Sequence, residues 1–215
     1  MAVLKIIRFI NALMNSNCYI IIDEERKNCI VIDPASEHSE REIECIEKKE
    51  LVLNYIILTH EHTDHTWGVN ALKNKYPNSK IVCSEYCKNN VKKESQSYFL
   101  LYYDDPNYHY EMAPVDKVIV ENETIIDWNG IKIVFLLTPG HSMGSMCISI
   151  GDYLFTGDTI MPFPPHLNKR YSKLELFKES INLINSKYPP KTIIYPGHGD
   201  KFYLEEWNNH DDWRV

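Results

Sequence analysis

The residues "LTHEHTDHTWG", numbers 58–68, place three histidines and an aspartate directly after an apolar run. Tyr55–Leu58 has the composition of a short buried strand, and Thr59 ends it. Alternate side chains of extended backbone share a side, so His60 and His62 are expected to face one point. Asp64 and His65 come where the chain turns into the next helix, and we expect them to face a neighbouring point.

Three other segments repeat the layout of an apolar strand, a glycine-containing turn and one residue of metal-ligand type. They are TPGHS at 138–142, TGD at 156–158 and PGHG at 196–199, which offer His141, Asp158 and His198. A single histidine in a loop is usually a solvated surface residue, but four such turns on one rim would converge on one pocket. Because imidazole and carboxylate groups bind zinc and similar ions, the sequence predicts a metal site.

These motifs, HxHxDH at 60–65 together with TPGHS, TGD and PGHG, resemble the metallo-β-lactamase-fold hydrolase superfamily. The resemblance spans most of the chain, from Asn17-Cys18-Tyr19 and Ile32-Asp33-Pro34 to His198. It implies an αββα sandwich with two metal positions. By that pattern His60, His62 and His141 bind the first ion, Asp64, His65 and His198 bind the second, and Asp158 bridges both.

The resemblance also implies a chemistry in which the chain supplies no nucleophile. Two divalent ions activate a hydroxide, which attacks a carbonyl polarised by one of the metals. Zinc is the expected ion, and iron or manganese also suit mixed nitrogen and oxygen ligands. Asp64 is the candidate catalytic residue, as a ligand or base that holds the hydroxide in line. Hydroxyl groups are expected to orient the ligands or form turns, and they belong to Thr59, Ser142, Ser145, Thr156 and Thr159.

Within the superfamily the chain is most similar to short glyoxalase II-like thioesterases, which predicts hydrolysis of an ester-type bond, above all a thioester. Two features differ from glyoxalase II. Only a short segment follows His198, where that enzyme has a helical substrate domain, and Met161–His166 replaces the GRxD-type segment. We therefore expect a different substrate pocket.

Several alternatives use the same residues. A lactonase or a β-lactamase-like hydrolase would use the same metal pair, whereas a persulfide dioxygenase would hold one iron through His60, His141 and Asp158. A non-catalytic, metal-stabilised binding module is the alternative outside the enzymes. Turnover of a generic thioester would exclude that last possibility.

Short strand patterns alternate with helical patterns along both halves of the chain. Their arrangement predicts an α/β (α+β) fold, a four-layer sandwich of two mixed sheets with helices on the outer faces, in one domain over residues 1–215. The helical patterns cover Ser36–Lys49, His65–Lys75, Ser84–Glu94, Ser172–Ser186 and Leu204–Asn208. Asn129-Gly130 and Gly151-Asp152 predict tight hairpins.

A tyrosine-rich stretch, 95–114, does not follow this alternation and predicts an insertion or lid over the pocket; a hydrophobic cluster under a loop is the alternative. Together with the proline-rich 161–166 loop it favours an apolar or aromatic substrate. The candidate substrate-binding residues from the two segments are Tyr98, Tyr102, Tyr103, Phe163 and His166.

Composition restricts the partners of the chain. Of its 215 residues 44% are hydrophobic and 25% are charged, and the formal net charge is -7. Nucleic-acid-binding proteins usually carry a basic face, so we expect a small-molecule substrate and no nucleic acid. Polar residues interrupt the N-terminal apolar run, which therefore resembles neither a signal peptide nor a membrane span. Six cysteines without a CxxC pair are expected to be free thiols, and the expected location is cytoplasmic.

Overall fold

The computed structural model describes residues 4–168 and 171–210 and divides into two compact units, the first ending at Val118. The first unit is built on a six-stranded mixed sheet in the order β1-β2-β3-β4-β5-β6. The first three strands pair antiparallel, whereas β3, β4 and β5 pair in parallel. The strands are β1 Leu4–Ile10, β2 Asn17–Asp23, β3 Asn28–Ile32, β4 Val52–Ile57, β5 Lys80–Ser84 and β6 Lys117–Ile119.

Four helices accompany this sheet. They are α1 Glu40–Lys48, α2 Thr63–Thr66, α3 Val69–Lys75 and α4 Glu85–Tyr103. The core of the unit is formed by β-branched and other apolar side chains of the central strands, such as Ile20, Val31 and Ile56, against Ile46 of α1 and Leu72 of α3. Strands buried on both faces carry continuous apolar runs, which is why β2 to β5 were recognisable in the sequence.

The second unit begins at Ile119 and contains another six-stranded mixed sheet, in the order β12-β11-β10-β9-β8-β7. All its neighbouring strands pair antiparallel except β10 and β11, which are parallel. Its elements are β7 Glu123–Trp128, β8 Ile131–Leu137, β9 Met146–Ile150, β10 Tyr153–Gly157, α5 Leu174–Lys187, β11 Ile193–Pro196, β12 Phe202–Tyr203 and α6 Leu204–Asn208. Helix α5 packs Phe177, Ile181 and Ile184 into the core.

Both predicted hairpins are present. Trp128 pairs with Ile131 across Asn129-Gly130, and these two turn residues have φ angles of 55° and 82°. Positive φ at both central positions is the requirement of the two-residue turn that matches strand twist. Ile150 likewise pairs with Tyr153 across Gly151, whose φ is 60°.

Three helical predictions differ from the structure. The predicted helix His65–Lys75 is two helices, α2 and α3, which meet near Gly68. A Cβ at Gly68 would lie 2.5 Å from the Ser36 backbone oxygen, so only glycine permits this close approach. Helix α1 begins at Glu40 and not at Ser36, because the backbone at Ser39 is left-handed, with φ 45° and ψ 36°. Helix α4 continues nine residues beyond Glu94, to Tyr103.

The tyrosine-rich stretch therefore begins inside α4 and continues without regular secondary structure from Asp104 to Pro114. Several of its rings form a cluster: Phe99 stacks on Tyr108 at a centroid distance of 3.6 Å and meets Trp67 at 5.0 Å. The single-domain and lid predictions stay predictions. Among the described residues, no helix is both long and apolar enough to cross a membrane.

Candidate metal centre

The first histidine, His60, is held by the strand that precedes it. The chain leaves β4 at Ile57, and the backbone N–H and the hydroxyl of Thr59 both donate to the Asp33 carboxylate, at 2.8 and 2.7 Å. The Thr59 Oγ1 also lies 3.0 Å from His60 Nδ1. With Nδ1 occupied in this way, Nε2 is the nitrogen of His60 that remains for a metal ion.

His60 and His62 offer their ligand atoms to one point. His60 Nε2 lies 3.0 Å from His62 Nδ1, and the two rings meet edge to face at a centroid distance of 4.5 Å. Two nitrogens bound to one tetrahedral zinc at 2.0–2.1 Å would be about 3.3 Å apart. The observed spacing therefore matches that of two ligands of a single ion, as the alternation of side chains predicted.

Asp64 and His65 form the second pair on this corner. They lie in α2, a single helical turn, and His65 Nε2 is 3.5 Å from Asp64 Oδ2. Both residues are buried, and the ring of His65 lies 4.3 Å from that of His60. The four ligand-type side chains of residues 60–65 thus lie close together in the first unit.

Asp33 is a candidate positioning residue that the sequence analysis did not single out. Its Oδ2 lies 3.0 Å from His65 Nδ1 and also accepts the Thr59 hydroxyl, so one carboxylate contacts both ends of the 59–65 segment. A carboxylate on the second nitrogen of a metal-binding histidine fixes the tautomer and raises the basicity of the ligand. The available signal was an acidic residue directly after the apolar run of β3, in Ile32-Asp33-Pro34.

The second unit brings the other three predicted ligands together. His141 Nε2 and His198 Nε2 each lie 3.5 Å from the same oxygen, Oδ2 of Asp158. Each of the three follows a strand through a glycine: β8 through Gly140, β10 through Gly157 and β11 through Gly197. A carboxylate oxygen shared by two histidines is the arrangement expected of a bridging ligand.

The TPGHS turn is held by hydrogen bonds around His141. The His141 Nδ1 lies 3.2 Å from the His166 carbonyl oxygen, and the Ser172 hydroxyl donates to the His141 carbonyl at 2.7 Å. Within the turn, Ser142 Oγ is 2.9 Å from Ser145 Oγ, which also accepts from the Ser142 N–H. The two serines are engaged in the turn, as expected of turn-forming residues.

The remaining hydroxyl groups stabilise the TGD turn. The Thr156 hydroxyl donates to the Ile160 carbonyl at 2.8 Å, and Thr159 Oγ1 lies 3.2 Å from Thr138 Oγ1. Cys147 lies beside Thr138, and burial raises the pKa of its thiol to about 12, although hydrogen bonds from Thr138 and Thr159 lower it in part. A thiol of that pKa is protonated at neutral pH and is not a nucleophile.

The donor set fits a divalent metal. Each unit contributes its own set of ligand-type side chains: His60, His62, Asp64 and His65 in the first, and His141, Asp158 and His198 in the second. Imidazole with carboxylate is the ligand chemistry of zinc, iron and manganese. Three histidines, His60, His65 and His141, have their Nδ1 beside an oxygen, which is the usual support of metal-binding imidazoles.

The candidate substrate-binding residues occupy different environments. Tyr98 is half-buried, and burial raises the pKa of its hydroxyl, as do the nearby Tyr103 and Asp64. The Tyr102 and Tyr103 rings are exposed on α4. Phe163 and His166 of the proline-rich loop are also exposed, and His166 contributes its backbone carbonyl to His141.

Comparison with known proteins gives a family match over residues 12–198, to the model described as "Metallo-beta-lactamase superfamily". The chain belongs to the metallo-beta-lactamase superfamily. Similar superfamily proteins include the probable polyketide biosynthesis zinc-dependent hydrolase BaeB of Bacillus velezensis, 28% identical over 89% of this chain and 76% of that protein. The hydroxyacylglutathione hydrolase of Buchnera aphidicola subsp. Schizaphis graminum is 31% identical over 87% of this chain and 64% of that enzyme.

Solved structures with the same fold confirm the predicted α/β fold class. The B3 metallo-beta-lactamase BLEG-1 matches 98% of this chain and 100% of its own, with a TM-score of 0.86 and 20% identity. ETHE1 from Myxococcus xanthus matches 96% of this chain and 83% of its own, with a TM-score of 0.76 and 20% identity. At such identities the likeness concerns the fold alone. Superfamily membership and the histidine–aspartate cluster together identify the chain as a metal-dependent hydrolase of this fold.

Proposed function

We propose that this chain is a dinuclear metal hydrolase that cleaves an ester-type bond, most specifically a thioester. The observation that carries the proposal is the pair of histidine–carboxylate groups described above. In this assignment His60, His62 and His141 bind one ion, and Asp64, His65 and His198 bind the other. Asp158 bridges them, supported by its Oδ2 at 3.5 Å from both His141 and His198.

Divalent ions in such a site supply an activated water and polarise a carbonyl. The chain itself contributes position. Asp33, Thr59 and the His166 carbonyl engage the Nδ1 atoms of three histidines, so that these rings present Nε2 in a fixed direction. The Asp64 carboxylate, as ligand or base, orients the attacking water and accepts its proton. Burial of these groups strengthens each electrostatic interaction because little solvent screens them.

Thioester specificity is supported by the hydroxyacylglutathione hydrolases among the relatives, at identities of 27–31%. The chain spans 64% of the length of the Buchnera enzyme cited above, so the glutathione part of that activity is not carried over. We infer that the acyl or thiol group of the substrate lies against Tyr98, with Tyr102, Tyr103, Phe163 and His166 as further contacts. The ring of Tyr98 lies 4.8 Å from that of Tyr102, which supports an aromatic or apolar contact surface on α4.

The function is tested by metal analysis of the purified full chain, followed by turnover of thioester, lactone, β-lactam and phosphodiester substrates. We expect two equivalents of metal, with zinc predominant, and turnover of thioesters faster than of the other classes. Chelation should abolish the activity, and zinc should restore it. One iron per chain with no thioester turnover would contradict the proposal and favour a mononuclear dioxygenase.

The tyrosine placement has its own test. Tyr98→Phe removes the hydroxyl but keeps the ring, so we expect KM for a thioester to rise about 5- to 10-fold if the hydroxyl donates one hydrogen bond to the substrate. Tyr86→Phe, an exposed tyrosine on the same helix, is the matched control and should leave KM unchanged. Equal KM values for both variants and the wild type would reject the placement.

A further inference from the structure

The β1–β2 loop reaches the metal-binding corner of the first unit through a chain of buried polar side chains. The Ser16 hydroxyl donates to the backbone carbonyl of Asp64, and the Asn11 side-chain amide donates to Ser16 Oγ at 2.9 Å. The Ser36 hydroxyl donates in turn to Asn11 Oδ1 at 3.1 Å. Asn11 and Ser16 are 1% and 0% exposed, so these bonds form away from solvent.

The Asp64 carbonyl takes this bond because α2 stops early. In a continued helix, the N–H of Gly68 would donate to the carbonyl of Asp64. Here the Gly68 N–H donates to the Pro34 carbonyl at 2.8 Å instead. The Ser16 hydroxyl therefore takes the place of a helical donor and ties the main chain of a one-turn helix to the first sheet.

The direction of the hydrogen bonds along this chain is set by Asn11. Its amide nitrogen can only donate, so the Ser16 oxygen accepts from it and the Ser16 proton is left to point at Asp64. The Ser36 hydroxyl on Asn11 Oδ1 fixes which end of the amide faces Ser16. Successive bonds that run in one direction polarise and strengthen one another.

The loop that carries Asn11 and Ser16 is closed on itself. The Asn11 N–H donates to the Ser16 carbonyl at 2.8 Å, and the Ser16 N–H donates to the Leu13 carbonyl at 3.2 Å. Met14 and Asn15 at its tip have φ angles of 53° and 54°, which make the turn tight. The two side chains that support Asp64 are thus attached to a compact loop at the end of two paired strands.

From this geometry we propose that Ser16 and Asn11 are positioning residues for Asp64. They hold the α2 backbone so that the Asp64 carboxylate stays beside His65, at the 3.5 Å separation that suits two ligands of one ion. The inference rests on the proposed function, since it assigns Asp64 to the second metal position. Neither residue touches a ligand atom in the chain of bonds described, so each acts through the main chain of Asp64.

The test is a cobalt(II) titration of the metal-free full chain, followed by visible absorption, which reports the first and second equivalents separately. For Ser16→Ala and Asn11→Asp we expect the first equivalent to bind as in the wild type. The affinity for the second should fall about 10- to 100-fold, with an altered absorption band, which is the usual effect of removing a residue that orients a ligand. Asn11→Asp replaces the donating amide with an acceptor and turns the Ser16 proton away from Asp64.

Ser79→Ala is the matched control. Ser79 is also a buried serine of the first unit, 1% exposed, and its hydroxyl donates to the Tyr76 carbonyl at 2.7 Å, far along the chain from the ligands. It should bind both equivalents with wild-type affinity and spectrum. If Ser16→Ala does not fold, as judged by circular dichroism, Asn11→Asp and the half-buried Ser36→Ala serve as the test variants.

The titration distinguishes a failure of the positioning role from a failure of the proposed function. Folded variants that bind both equivalents as the wild type does would overturn the positioning role and leave the dinuclear site intact. A wild-type chain that binds no second equivalent would overturn the proposed function and, with it, this inference.

Discussion

Two buried carboxylates of the first unit, Asp33 and Glu42, differ in how their negative charges are compensated. Asp33 accepts hydrogen bonds from the N–H and hydroxyl of Thr59 and lies 3.0 Å from His65 Nδ1. Glu42, in α1, is 0% exposed, and its carboxylate has only weak partners, such as the thiol of Cys18. A buried carboxylate costs stability unless its charge is compensated, so Glu42 should be less favourable to stability than Asp33.

Asp33→Asn tests the orienting role of the first carboxylate. The amide keeps only one of the two accepting oxygens of the carboxylate, so it cannot satisfy all three groups, and it loses the charge that faces His65. We expect zinc affinity to fall about 10- to 100-fold in a competition with a chromophoric chelator. Asp23→Asn is the control, because Asp23 is equally buried but pairs with Arg26 and not with a ligand. Equal zinc affinities for the two variants would contradict the role.

Glu42→Gln tests the cost of the second carboxylate. Burial raises the pKa of Glu42, and Arg41 lowers it only in part. A carboxyl pKa that is raised in the folded state makes a contribution to stability that is fully present below its ordinary pKa and is lost as pH rises through the raised value. The glutamine side chain of the variant does not titrate. The free energy of unfolding of the variant should therefore increase relative to that of the wild type as pH rises.

The measurement is urea unfolding at pH 4 and pH 8. Glu44→Gln, at an exposed position of the same helix, should differ from the wild type by less than about 0.5 kcal/mol at either pH. Parallel pH profiles for the wild type and Glu42→Gln would show that Glu42 does not titrate differently in the folded chain.

At the scale of elements, the turns after the strands decide where ligands point, and helix α5 illustrates how closely one turn is packed. Gly140 precedes His141 and has a φ of 147°, and a Cβ there would lie 2.3 Å from the Phe177 Cα. The Lys173 N–H donates to the Gly140 carbonyl at 2.8 Å. The start of α5 therefore rests on the TPGHS turn and leaves no room for a side chain at this position.

Gly140→Ala should displace α5 or the turn, because the new methyl group meets helix backbone and cannot be accommodated by a side-chain rotation. We expect a loss of more than about 3 kcal/mol in the free energy of unfolding, from backbone strain together with overpacking. Gly130→Ala shares the positive φ, at 82°, but has no atom within 4 Å of its Cβ. Its free energy of unfolding should fall by only about 1 to 2 kcal/mol, the cost of a left-handed backbone for a residue with a Cβ.

Urea unfolding of both variants provides the comparison, with zinc content as a second measurement. The Gly140 variant should also retain less zinc than the Gly130 variant, since His141 follows the strained residue. Similar losses of stability for the two substitutions would show that close packing against α5 is unimportant.

At the scale of the whole molecule, a metal site made of native-state ligands should couple ion binding to stability. An ion that binds only the folded chain raises the free energy of unfolding by about 2.7 kcal/mol when its free concentration is 100 times Kd. We expect the Tm of the metal-free chain to rise with zinc concentration, and to rise much less for Asp158→Ala, which removes the carboxylate proposed to bridge the ions. Magnesium, which prefers oxygen ligands, should have little effect. A Tm independent of zinc would contradict a site built in the native state.

The sequence alone determined the strands, the hairpins at Asn129-Gly130 and Gly151-Asp152, the fold class and the residues of ligand type. These are local signals, because apolar runs, turn residues and imidazoles at strand ends carry their meaning within a few positions. Helix α4 was harder to read beyond Glu94. Its buried positions recur every four residues, but Ser95 interrupts the apolar pattern and the tyrosines that follow have the composition of a loop. Buried residues of this helix are Cys87, Val91, Ser95 and Phe99.

Only the tertiary structure decided which distant groups support the ligands. Asp33 is 32 positions from His65, and Ser16 is 48 positions from Asp64. Such pairs depend on the register of β2, β3 and β4 and on the early end of α2, where the Gly68 N–H turns to Pro34. No pattern within a short window encodes that register, since it results from the packing of whole strands against one another.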